Sequence, residues 1–174
     1  MKKTFVLAFA VLAAASQAIV TPIGFFPTPA IMQDGFDTTA AGTYSTFPIF
    51  TVPAVMNKIG TSGLLVVRPY PGVNTPPHMC FGDGVNAEVK SVIPMRRFGG
   101  YFMSGINGVF SSTATFRFYD AANNPIGMVT VPMTPTFTWV GFSTIPKWKR
   151  VEILGSIPTL PGYVGMDSLR IRPN

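Results

Sequence analysis

The sequence predicts an all-β chain, an antiparallel sandwich or barrel, and three observations predict it. Seventeen prolines and seventeen glycines are scattered without period, which interrupts long helices and supplies turns. Short runs, some alternating and some continuously apolar, recur at the spacing of strands and turns. No segment sustains the apolar period of 3.6 residues that marks a helix.

The first segment stands apart from the fold. "MKKTFVLAFAVLAAASQA" places Lys2 and Lys3 before an apolar run from Phe5 to Ala15 and ends in Ser16-Gln17-Ala18. A charged start, an apolar centre and small residues at the end are the parts of a secretory signal peptide. The run is too short for a bilayer, which takes about 20 apolar residues. Residues 1–18 are therefore read as a signal peptide, residues 19–174 as a single domain, and the location as secreted or periplasmic. No membrane span is expected after cleavage, and the tail "SLRIRPN" does not read as an anchor.

Element by element, "IVTPIGFFPTPAI" is extended, because its prolines forbid a helix. A strand is predicted over Tyr44 to Val52, and another over Gly63 to Tyr70, whose unbroken apolar run fits a strand covered on both faces. "PGVNTPPHMCFGDG" reads as a long loop and "AEVKSVI" as a strand. In "TATFRFY", Ala114, Phe116 and Phe118 fall on one face, the period of two of a half-buried strand. "DAANNP" is a turn. "IGMVTVP", "TFTWVGFS", "RVEIL" and "VGMDSLRIR" follow as strands.

The order "FRFYDAANNPIGMVTVP", "FTWVGFS", "KRVEIL", "VGMDSLRI" resembles the jelly-roll domain of bacterial exported proteins of the PEP-CTERM type, itself similar to galactose-binding-like sandwiches. The resemblance covers about residues 105 to 172, with an echo in "GFDTT", and it implies an antiparallel β-sandwich of jelly-roll type. The chain departs from the pattern in two places. It shows no C-terminal sorting tail, and "PKWKR" is more basic than the stretch expected before "RVEI".

Charge and composition narrow the function classes. Only 11% of residues are charged while aromatic residues are plentiful, so the chain is a packed fold and not a disordered one. Losing Lys2 and Lys3 lowers the net charge from +6 to about +4, a modest excess, and "KWKR" and "MRRF" are small basic spots. No nucleic-acid partner is expected. Cys80 is the single cysteine, so no intramolecular disulfide forms, and it is read as a buried inert thiol. His78 is the single histidine and lies two residues from Cys80; a Cys–His nucleophile is not supported, and one His with one Cys falls short of the three or four ligands of a zinc site. None of the seven acids stands in an enzyme signature, and Glu152, between Val151 and Ile153, is expected to face solvent or pair with Arg150. No catalytic residue is assigned, and the chain is read as no enzyme.

Two binding expectations remain. The galactose-binding resemblance implies a structural calcium ion held by Asp37 of "GFDTT" and Asp167 of "GMDSL", since calcium takes carboxylate and carbonyl oxygens. Trp148, flanked by Lys147, Lys149 and Arg150, with Tyr163 as companion, is the candidate ligand surface, an amphipathic ring among cations. Trp139 is read as core. The expected function is a non-catalytic binding or structural module, with a polysaccharide or cell-surface glycan as partner. The alternative is a matrix or surface-assembly protein that self-associates without a small ligand, and a hydrolase ranks below both.

Overall fold

A computed structural model describes residues 18–26, 32–34, 36–50, 54–61, 63–71, 78–104, 113–156 and 164–174. The regular elements among them are all strands: β1 (Ile19–Pro22), β2 (Met32–Asp34), β3 (Gly42–Tyr44), β4 (Thr46–Ile49), β5 (Ala54–Ile59), β6 (Leu64–Pro69), β7 (His78–Asp83), β8 (Asn86–Ser104), β9 (Thr113–Tyr119), β10 (Pro125–Pro132), β11 (Thr138–Ser156) and β12 (Val164–Arg172). Every pairing is antiparallel.

Two strands create the sandwich. β8 and β11 are 19 residues long and belong to both layers. Residues 86–91 of β8 pair with β5, and residues 87–90 with the late part of β11; residues 97–104 pair with β12 and the early part of β11. The first layer thus runs β4-β5-β8-β11-β9-β10, and the second β1-β11-β8-β12-β7-β6-β3, with β2 added to β12. The late strands β11 and β12 intercalate beside β8, between partners far from them in sequence. This is an antiparallel sandwich of jelly-roll type.

Both long strands bend where the layers part. The β8–β11 register shifts between Ser143 and Trp148 and again between Trp148 and Arg150. Bulges of this kind re-aim side chains and let a strand change direction. Phe98, Phe102 and Phe142 of the second layer meet Phe116 and Phe118 of the first, with ring centroids 4.9 to 6.3 Å apart in tilted or edge-on pairs. Such pairs add about 0.5–1.5 kcal/mol each beyond the area they bury.

The sandwich also covers its edges. β3 ends one edge of the second layer and β4 the matching edge of the first, and the chain crosses between them at Ser45, whose carbonyl accepts the Lys58 amide at 2.9 Å. At the other side β1 pairs with β11, and its Val20 packs over β10, where a Cβ on Gly127 would lie 3.0 Å from Val20 Cγ2. Asp34, at the end of β2, fixes two unusual residues at once. Its Oδ1 accepts the Phe36 amide at 2.6 Å and its Oδ2 the Phe50 amide at 2.8 Å, and both phenylalanines have positive φ (63° and 67°).

Three elements differ from the sequence reading. The segment read as a long loop contains β7, because His78 to Asp83 fills the gap between β6 and β12. The strand predicted over "AEVKSVI" is the first part of β8, which continues through Gly99 and Gly100 to Ser104. The predicted strand from Tyr44 to Val52 is divided at Ser45 between β3 and β4, and residues 51–53 lie outside the described residues. Of residues 1–18, read as a signal peptide, residues 1–17 also lie outside the described residues.

Candidate functional site

The predicted tryptophan surface is overturned. Trp148 is 0% exposed and packs edge-on against Phe98 at 5.7 Å, with Phe118 at 6.4 Å. The physical reason is the double register shift, which points Trp148 between the layers while Arg150, two residues on, stays outside. Two residues apart on a regular strand share a face, so no local pattern exposes the change. Lys147 is exposed at the bulge and Lys149 half-exposed. Tyr163 lies outside the described residues.

Arg150 belongs to a different group on the outer face of the first layer. Glu152 of β11 stands opposite Glu88 of β8, and Arg150 Nη1 bonds Glu152 Oε1 and lies 3.5 Å from Glu88 Oε2. Asn57 Nδ2 donates to Glu88 Oε1 at 3.0 Å, where Lys90 also pairs at 2.6 Å. Tyr119 donates its hydroxyl to Glu152 Oε2 at 2.8 Å and lies under the Arg150 guanidinium at 3.7 Å. Burial first, and then the bond to Glu152, push the Tyr119 hydroxyl above its ordinary pKa. All four carboxylate oxygens are engaged, so this set is a strut across β5, β8, β11 and β9.

The half-exposed aromatic group lies on the outer face of the second layer. Across β11, β8 and β12 the register sets three rows: Trp139, Tyr101 and Asp167; Gly141, Gly99 and Arg170; Ser143, Arg97 and Arg172. The neighbours Phe98, Phe142 and Ile171 are buried in the core, so these rows face outward. The glycines let Trp139 lie down on the sheet. A Cβ on Gly99 would stand 2.6 Å from Trp139 Cζ2, and one on Gly141 2.9 Å from Trp139 Nε1.

Residues 23–26 complete this group. Ile23 bonds Gly141 through its amide at 2.8 Å, and its carbonyl accepts Trp139 Nε1 at 3.4 Å. Phe25, 48% exposed, lies 5.0 Å from Trp139 and 6.5 Å from Tyr101; Tyr101 lies 5.5 Å from Trp139. The Arg170 guanidinium sits 4.4 Å over the Phe25 ring and donates to the Phe26 carbonyl at 3.1 Å. Its burial lowers its pKa from the ordinary arginine value. The result is a set of ring faces and edges beside fixed cations, which suits stacking and charge-assisted hydrogen bonding. Sequence reasoning assigned Trp139 to the core; "FGGY" opposite "WVG" was the signal that could have placed it outside, through the close approach that glycine permits.

The remaining candidates are placed as follows. Asp37 is exposed, and its Oδ1 accepts the His78 amide at 3.2 Å; Asp167 is wholly buried, and its Oδ1 accepts the Ser168 amide at 2.6 Å. Among the described residues no three His, Cys, Asp or Glu side chains gather to hold a metal. Cys80 is buried, 3.7 Å from Met56 Sδ, and burial, with Asp34 second, pushes its thiol well above the ordinary range, as an inert core thiol requires.

No family profile matches the chain, and no curated protein matches it in sequence. Among solved structures it is similar to the K2 cleaved adhesin domain of Lys-gingipain, with a TM-score of 0.54 and 12% identity over 83% of this chain and 99% of that one. An arabinose-bound GH51 α-L-arabinofuranosidase matches 83% of the chain at TM-score 0.48 and 12% identity. Tailspike protein 4 of bacteriophage CBA120, in its enzymatically active domain, matches 69% at TM-score 0.36 and 16% identity. The chain spans 26% and 18% of those two proteins. The first likeness is one of fold.

Proposed function

We propose that the chain is an exported, non-catalytic module that binds carbohydrate through the outer face of the second layer. The observation that carries this reading is the half-exposed group of Phe25, Tyr101 and Trp139 held beside Arg170. Aromatic rings offer contact area to the apolar face of a sugar, and the tyrosine hydroxyl and guanidinium groups are donors for its oxygens. The shared fold with an adhesin domain over that domain's whole length agrees with an extracellular binding role. Export rests on residues 1–18, and the kinship to PEP-CTERM-type exported domains on the motifs quoted above. Glu88 and Glu152 are engaged throughout by Arg150, Lys90, Asn57 and Tyr119, which favours a structural over a hydrolytic use of that pair.

The test is polysaccharide retention by the mature chain and by Phe25→Ala. Retention by the wild type and a loss in a folded Phe25→Ala protein support the reading; no retention of any glycan removes it. A structural calcium at Asp37 and Asp167 is part of the same proposal, and melting curves that coincide in chelator and in millimolar calcium remove that part.

Surface assembly is the second reading. It is favoured by the apolar side chains exposed around the bend of the long strands, Ile19, Val92, Ile93 and Ile145, of which Ile19 and Ile145 pair across β1 and β11. Concentration-dependent sedimentation without glycan binding supports it in place of the first.

A further inference from the structure

Arg97 and Arg172 stand directly opposite each other across the β8–β12 ladder, both half-buried on the outer face. Like charges in that position destabilise a strand pair. All seven acidic residues of the chain are described, and none pairs with either arginine; the ion pairs of Glu88 and Glu152 go to Lys90 and Arg150. Arg170 follows in the next row, opposite Gly99, and its buried Nε has no acceptor among the described residues. Three arginines therefore stand in consecutive rows of one face, and no carboxylate of the described residues pairs with the facing two.

We propose that Arg97 and Arg172 hold the anionic substituent, a carboxylate or sulfate group, of an acidic polysaccharide whose sugar rings rest on Phe25, Tyr101 and Trp139. This rests on the carbohydrate reading above and names its ligand class. The planar guanidinium fork matches a carboxylate or sulfate in a way that a neutral sugar does not use. Arg97 and Tyr101 lie four residues apart on β8, about 13 Å at strand rise. Cation and aromatic subsites so separated suit a polymer over a monosaccharide. The anion also relieves the repulsion between the facing arginines.

The experiment compares retention of matched probes by the mature chain: polygalacturonate against its highly methyl-esterified form, and dextran sulfate against dextran. Duplex DNA and anionic phospholipid vesicles serve as other polyanions. Each probe is tested with wild type, Arg97→Gln/Arg172→Gln and Phe25→Ala, and melting temperature checks folding. Removing the facing cations relieves repulsion, so the double variant is expected to melt at or slightly above the wild-type temperature. The proposal expects the acidic glycans to be retained over their neutral forms, a loss of about tenfold or more in affinity in the double variant, and weakening at about 0.5 M salt. Equal binding of neutral and acidic glycans, unaffected by the double variant, overturns the proposal and leaves the carbohydrate reading standing. No glycan binding at all removes both. Binding of DNA or vesicles as strong as that of the glycans, and unaffected by Phe25→Ala, also overturns it. Should the double variant fail to fold, Arg172→Lys keeps the charge and loses the fork, and unchanged acidic-glycan affinity in it counts against the proposal.

Discussion

Glu88 and Glu152 face each other across the β8–β11 ladder, and the Arg150 guanidinium bonds both. Their side chains are largely covered, so removing the cation leaves two carboxylates opposed with little solvent between them. Arg150→Met is expected to cost about 2–4 kcal/mol in denaturant unfolding. Adding Glu88→Gln and Glu152→Gln is expected to recover part of that loss. A loss under 0.5 kcal/mol would show that the strut is ornamental to stability.

Trp148 fills the centre of the aromatic core, and its Nε1 is buried with no acceptor among the described residues. Trp148→Ala is expected to cost about 3–5 kcal/mol. Trp148→Phe loses packing but also the unpaired donor, so it should cost about half as much or less. Equal losses in the two variants would contradict this account of the indole.

The turn after β9 carries an acid-dependent contribution. Backbone and side-chain hydrogen bonds from Asn124, with the Ala122 amide, hold the Asp120 carboxyl below the ordinary carboxylate range. A depressed folded pKa contributes stability above the unfolded value and loses it as pH falls through the folded one. Asp120→Ala should therefore melt below the wild type at neutral pH, and the gap should close as pH drops below about 4. A gap that persists at pH 2 would contradict the assignment.

The sandwich was legible in the sequence because its strands keep a local period. Ala114, Phe116 and Phe118 are buried, and the "DAANNP" turn joins β9 to β10. The site was less legible. Trp148 and Trp139 exchange the roles that local pattern gives them, the first by bulges at a strand bend and the second by glycines on a neighbouring strand. Both causes are non-local: the register of β11 depends on where β8 bends, and the bed for Trp139 depends on Gly99 standing opposite Gly141. The pairing of Arg97 with Arg172 joins residues 75 positions apart and is visible only in the ladder. The proline-rich stretch before His78 masked β7 in the same way, since its partners β6 and β12 supply what local propensity lacks.

The glycine bed makes its own prediction. Gly99→Ala places a Cβ 2.6 Å from Trp139 Cζ2 and 3.0 Å from the Val140 carbonyl, so the ring must lift. Overpacking of this kind costs about 1–3 kcal/mol. Glycan retention should fall further than stability does, measured on protein that is folded by circular dichroism. Unchanged retention would separate Trp139 from the ligand surface.

The most direct test of the binding account uses the two tryptophans. Trp148→Phe leaves Trp139 as the single tryptophan of the chain. Its emission is then followed while oligogalacturonate is titrated into the folded protein. The account predicts a saturable change in Trp139 emission that Arg97→Gln/Arg172→Gln shifts to about tenfold higher ligand concentration. Emission that stays flat while the oligosaccharide demonstrably binds would place the ligand elsewhere on the molecule and contradict the account.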